Sequence, residues 1–200
     1  MLHRICLLLI FVAGGLFAQQ HDFSMWTRST TGSTVVIPWY MHFGDKFVID
    51  ARYNYDAKGT FGGCIGKSFG GKNLSLVPEA CGYIGEVDGF GPELLVMGSK
   101  GKTSLFSQNQ YVHGMNSRDS FLYHWTDLLL KTNKNLSLGV DWQIFKLTGI
   151  SAPVAVDVGP AVKVMFGKVY FRIWPCWAID PKDSARRGNP TLFLGVGYAR

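Results

Sequence analysis

From Thr34 onward the chain repeats one device: a run of about ten residues in which the two faces alternate, a short turn of Gly, Asp, Asn or Lys, then another run. Alternation with period two belongs to a strand with two unlike faces, since helical faces recur about every 3.6 residues instead. Phe47, Ile49, Ala51, Tyr53 and Tyr55 oppose Val48, Asp50, Arg52, Asn54 and Asp56. Leu138, Val140, Trp142 and Ile144 oppose Gly139, Asp141, Gln143 and Phe145, and Val35, Ile37, Trp39 and Met41 oppose Val36, Pro38, Tyr40 and His42. The pattern predicts strands at roughly 23–31, 34–42, 47–56, 60–69, 73–84, 89–98, 103–113, 120–130, 136–146, 154–166, 168–179 and 191–199. That makes about twelve, with ten also compatible, the first having the faintest pattern. Prolines 78, 92, 160 and 175 sit oddly there, because a paired strand tolerates Pro mainly at bulges and edges.

The faces decide the kind of barrel. One is apolar and aromatic over the length of a bilayer-crossing strand; the other mixes Gly, small polar residues and formal charges. A soluble barrel puts its apolar face inside, whereas a membrane barrel turns it to lipid. The Trp- and Tyr-rich apolar face is therefore expected outside. The fold class is all-β: an antiparallel up-and-down transmembrane β-barrel with short turns. Aromatic residues at 14% exclude a disordered chain, and four Cys are too few for a disulfide-dense scaffold. Turns near 43–46, 70–72, 99–102, 131–135 and 167 are short, and those at 85–88, 114–119, 147–153 and 180–190 longer, as in outer-membrane barrels with both ends inside. The turn at 57–59 breaks that rule.

Residues 1–18 read as a signal peptide: His3 and Arg4, an apolar run from Ile5 to Val12, then small residues up to Ala18. Residues 19–200 form one barrel domain, exported through the Sec pathway to the outer membrane. The stretches Asp50-Ala-Arg-Tyr-Asn-Tyr-Asp56, Ser120-Phe-Leu-Tyr-His-Trp125 and Pro190-Thr-Leu-Phe-Leu-Gly-Val-Gly197 resemble a family of small, uncharacterised outer-membrane-type β-barrel proteins of Gram-negative bacteria. The resemblance implies a β-rich exported fold and brings no catalytic residues with it.

Asp50, Arg52, Asp56, Glu79, Glu93, Asp141, Asp157, Lys163 and Arg172 fall on the polar face and are the candidate lumen-lining residues. Acids outnumber bases among them, so a water-filled lumen would favour cations. Alternatively they pair across strands and fill the interior, which bulky Phe145, Tyr170 and Trp174 would narrow further. Three readings follow: a narrow porin-like channel for small solutes or ions, a non-conducting accessory barrel, or an exported lipocalin-like binder. Lys182, Arg186 and Arg187 in the longest polar loop are candidates for lipopolysaccharide phosphates. The expected partners are membrane lipid and the barrel-assembly machinery. The net charge of +6 does not point to nucleic acid, since no basic patch interleaves with stacking aromatics. His42, His113 and His124 prompt a hydrolase reading, but no spacing supplies a nucleophile, base and orienting group. The chain is thus read as no enzyme, with no cofactor and no metal. Cys64 and Cys81 fall opposite one another on adjacent strands, either as a disulfide or as two small buried thiols. An Arg placed at Gly139 is expected to be tolerated or to block the lumen.

Overall fold

Thirteen strand segments account for almost all of the described chain: β1 (Gln20–Thr30), β2 (Ser33–Phe43), β3 (Phe47–Tyr53), β4 (Phe61–Lys67), β5 (Phe69–Gly70), β6 (Leu74–Ile84), β7 (Gly89–Lys100), β8 (Thr103–Gly114), β9 (Phe121–Lys131), β10 (Leu136–Leu147), β11 (Ala155–Phe166), β12 (Val169–Ala178) and β13 (Thr191–Ala199). The structure is a computed structural model and describes residues 20–30, 33–44, 47–71, 73–115, 120–151, 153–179 and 191–199. The signal segment 1–18, Lys46, Lys72 and the 180–190 loop with Lys182, Arg186 and Arg187 lie outside the described residues.

Every pairing is antiparallel between chain neighbours, and β1 pairs with β13, so the sheet closes on itself. β4 and β5 are one stave broken at Ser68: Gly66 faces Glu79 and Phe69 faces Leu76 in a single register. The ring therefore has twelve staves. The break lies opposite Pro78, which has no N–H to give the ladder. Prolines 92, 160 and 175 act alike, whereas Pro38 sits within the unbroken β1–β2 ladder. The β7–β8 ladder skips Pro92, and the β11–β12 ladder lapses between Val158 and Val162, where Pro160 and Pro175 share the register. Prolines 78, 92, 160 and 175 thus mark local gaps in pairing rather than strand ends. The first strand is no weaker than the rest: β1 pairs along both edges.

Burial alternates as the sequence does. On β6, Val77, Glu79, Cys81 and Tyr83 are buried while Leu76, Pro78, Ala80, Gly82 and Ile84 are exposed. The outer wall is apolar, with Ile49, Ile65, Leu94, Leu138, Phe171, Ile173 and Leu194 all exposed. Phe171 and Leu194 are thus turned outward, as a membrane-facing wall requires.

Three expectations need correction. The predicted strand 47–56 ends at Tyr53; Asn54 takes φ 60°, its amide side chain bonds Val36 O and Gly59 N, and the chain folds inward. Tyr55 therefore points into the barrel instead of sharing a face with Ile49. The β3–β4 connection consequently runs from Asn54 to Thr60, no longer a short exception among the longer loops. Second, the tryptophans are mostly inside. Trp26, Trp39, Trp125 and Trp174 are buried in the interior, and only Trp142 and Trp177 stand on the outer face among the described residues. On β2 it is the apolar row Val35, Ile37, Trp39 and Met41 that faces in. Third, Gly139 has no room for a side chain: a Cβ there would sit 1.9 Å from Leu128 O.

Candidate functional site

The barrel interior gathers the charges into two groups. In the first, Arg52 on β3 forks onto Glu93 of β7, with Nη2 to Oε2 at 2.6 Å and Nη1 to Oε1 at 3.2 Å. It also reaches Asp56 (3.4 Å) and Asp50 (3.5 Å), and its side chain is wholly buried. Asp50 accepts from the Trp39 indole at 2.9 Å, and Glu93 accepts from Gln108 Nε2 at 2.8 Å. The in-folded loop joins this group: Tyr55 donates to Gln108 Oε1 at 2.6 Å, and Asp56 accepts from Gln110 Nε2 at 2.8 Å. Such a fork needs guanidinium, whose paired donors match a carboxylate edge.

In the second group, Arg172 on β12 bonds Asp127 at 2.6 Å and both oxygens of Asp141. Its guanidinium lies 5.3 Å from the Trp26 ring and 5.6 Å from that of Trp125. Lys163 sits over Tyr170 at 4.4 Å. Cation–π contact of this kind favours a cation in an aromatic-lined interior.

Between the groups the interior is aromatic. Trp125 stacks on Trp174 at 6.2 Å, Trp174 on Phe193 at 4.5 Å, and Trp26 closes edge-on and Trp39 tilted at 6.0 and 5.9 Å from Trp125. The residual space in this septum is only ≈ 20 Å³. Toward the short-turn end lies a cavity of ≈ 140 Å³ with Asp22, Asp127, Lys163 and Arg172 in its wall. Toward the other end lie contiguous cavities of ≈ 230 and ≈ 210 Å³ sharing Arg28, Gln143 and Asp157. Glycines make room for the aromatics: a Cβ at Gly195 would meet Trp26 at 2.7 Å, and one at Gly197 would meet Tyr170 at 2.3 Å.

All nine sequence candidates point inward. Asp50, Arg52, Asp56 and Glu93 come together; Asp141 and Arg172 come together with Lys163 nearby; Asp157 lines the upper cavities, those away from the short-turn end. Glu79 lies beside the first group. Asp22, Arg28, Asp127 and Tyr55 were missed. Asp127 was legible, because it shares its alternation with Tyr123 and Trp125; Tyr55 was not, because a φ reversal at Asn54 decides it. Cys64 and Cys81, paired across β4 and β6, form a disulfide.

His124 lies on the outer wall, in step with exposed Leu122 and Leu128. Its Nδ1 meets Asn109 Oδ1 at 2.8 Å, and its Nε2 meets Thr126 Oγ1 at 2.9 Å and Trp142 Nε1 at 3.1 Å. The sequence spacing concealed this, since the partners come from three strands. Thr126 is only 3% exposed and is bonded to Ser107, and the surrounding backbone N–H groups belong to the ladders. The hydroxyl is covered, and the network satisfies polar groups on an apolar wall.

No family model and no curated protein matches the sequence. Among solved structures the chain is similar to the KdgM porin, with TM-score 0.62 at 10% identity over 90% of this chain and 99% of that one. It is likewise similar to the NanC porin (0.62, 8%, covering 90% and 98%) and to Omp33 of Acinetobacter baumannii (0.53, 9%, covering 92% and 99%). The shared feature is the fold: a closed, antiparallel twelve-stave barrel of the outer-membrane porin type.

Proposed function

We propose that the chain is an outer-membrane, porin-type barrel whose lumen is a narrow, aromatic-closed passage for small ions or solutes. The observation that carries this is the axial order of cavity, septum and cavity, with ≈ 20 Å³ of space between ≈ 140 Å³ below and ≈ 230 Å³ above. In this reading the rings narrow the lumen, and they must turn aside for a solute to pass. The interior carries Asp22, Asp50, Asp56, Glu79, Glu93, Asp127, Asp141 and Asp157 against Arg28, Arg52, Lys163 and Arg172, so what passes is cationic or neutral. Membrane residence rests on the exposed apolar wall, far larger than the apolar patches of soluble proteins. No helix of the described residues is long and apolar enough to cross a membrane. The same reading gives lipid as the outer neighbour and keeps Lys182, Arg186 and Arg187 as candidates for binding lipopolysaccharide phosphates.

Planar-bilayer recording tests it. The wild-type barrel is expected to show small, cation-favouring currents, and Trp125→Ala combined with Trp39→Ala to raise unit conductance several-fold. If wild type and septum variant are both silent at every pH, the channel reading falls and the buried ion pairs support the non-conducting barrel instead. Lipid exposure has its own test: Ile173→Arg is expected to cost about 2–4 kcal/mol of folding stability, as charge at the bilayer midplane does. An unchanged denaturation midpoint in vesicles would remove lipid from that wall.

A further inference from the structure

Asp50, Glu79 and Glu93 sit on β3, β6 and β7, and one carboxylate oxygen from each lies within 4.8 Å of the other two. Glu79 and Glu93 are direct cross-strand partners, a placement in which like charges repel. Glycine brings the third acid in. Gly66 on the intervening β4 faces Glu79, and a Cβ there would lie 2.4 Å from Glu79 Cγ, so the glutamate leans across it toward β3.

The three carboxylates are not equally satisfied. Glu93 is held by Arg52 and Gln108. Asp50 uses Oδ2 for Trp39 and Arg52, while its buried Oδ1 accepts no hydrogen bond. Glu79 is 5% exposed, and neither of its buried oxygens has a hydrogen-bond partner. Arg52 is the one base bonded to this group among the described residues, and it is already shared with Asp56. Protonation would let Glu79 donate one hydrogen bond to a neighbouring carboxylate, whereas a cation between the three acids satisfies all three together.

We propose that Asp50, Glu79 and Glu93 hold a hard divalent cation of the Ca²⁺ class inside the barrel wall. The donor set selects the ion. All ligands are carboxylate oxygens, which suit Ca²⁺, Mg²⁺ or Mn²⁺, and the neighbouring sulfurs of Cys64 and Cys81 are locked in a disulfide and offer no thiolate. The ion ties β3, β6 and β7 together beside the stave interrupted at Ser68. The inference stands on the fold and the side-chain cluster, not on conduction.

Terbium luminescence tests it, because Tb³⁺ replaces Ca²⁺ at oxygen sites and Trp39, bonded to Asp50, is placed to sensitise it. The full barrel, stripped with chelator and folded in detergent, is expected to bind Tb³⁺ saturably at one ion per chain, with displacement by Ca²⁺. Glu79→Gln is expected to weaken binding at least about tenfold. Asp157→Asn, in the upper cavity, should leave it unchanged, and each variant's fold is checked by heat-dependent gel mobility. Ca²⁺ should also raise the melting temperature of wild type but not of Glu79→Gln. No saturable binding by wild type, equal binding by Glu79→Gln, or equal loss in Asp157→Asn overturns the site. If Glu79→Gln fails to fold, Asp50→Asn carries the same comparison.

Discussion

Replacing Arg52 by Met is expected to cost about 3–5 kcal/mol of folding stability, the loss typical when one partner of a buried ion pair is removed. The side chain is fully buried and bonds Asp50, Asp56, Glu93 and Tyr83, with its guanidinium 4.8 Å from the Tyr55 ring. Without it, Asp50, Asp56 and Glu93 lose the one side-chain cation bonded to them among the described residues, and the in-folded loop loses its anchor through Asp56. Lysine is not a substitute, because a single ammonium cannot make the two-pronged contact with Glu93. Urea titration of the barrel in vesicles measures the change as a shift in midpoint at constant slope. Adding Glu93→Gln to Arg52→Met should recover part of the loss, because it removes one of the stranded charges. A single-variant loss below about 1 kcal/mol, in the range of exposed pairs, would show that water reaches this group.

Gly139→Ala is expected to destabilise at or above the upper end of the about 1–3 kcal/mol seen for overpacked sites. The added methyl would lie 1.9 Å from Leu128 O and 2.8 Å from Leu129 Cδ2, and a backbone oxygen in a paired strand cannot swing aside. Gly82→Ala is the matched control. It too is a strand glycine, but no atom lies within 4 Å of its added Cβ, so its effect should stay within about 0.5 kcal/mol. Comparing the two separates close strand approach from glycine's intrinsic strand propensity. Equal effects would contradict the tight contact between β9 and β10.

These two sites also mark the boundary of what the sequence discloses. Alternation located the staves and placed Asp50, Arg52, Asp141 and Arg172 on the inner face, since side-chain direction follows directly from strand parity. It did not tell inside from outside for the aromatics. Val35, Ile37, Trp39 and Met41 form as apolar a row as any on the outer wall, yet they face in, where Trp39 meets Asp50. A narrow barrel fills its interior with bulky rings and small neighbours, so both faces of a strand can be apolar. Gly139 read as free lumen space because a sequence shows an absent side chain, not the backbone pressed against it. Asp50, Glu79 and Glu93 were all found, but the approach of Asp50 to the two glutamates depended on Gly66 standing between β3 and β6. The arrangement around His124 was invisible for a similar reason, since Asn109 and Trp142 reach it from neighbouring strands.

The pairing of β1 with β13, from Asp22 opposite Ala199 to Ser29 opposite Leu192, puts the two ends of the described chain side by side. A ring joined in this way has no privileged starting point. Joining the old ends by a short linker and opening the chain at Gly101, in the exposed turn between β7 and β8, should give a permuted protein with the same twelve neighbours for its staves. The original order has a temporal consequence as well. The first stave cannot find its second partner until the last has been made, so this cylinder must wait for its own tail.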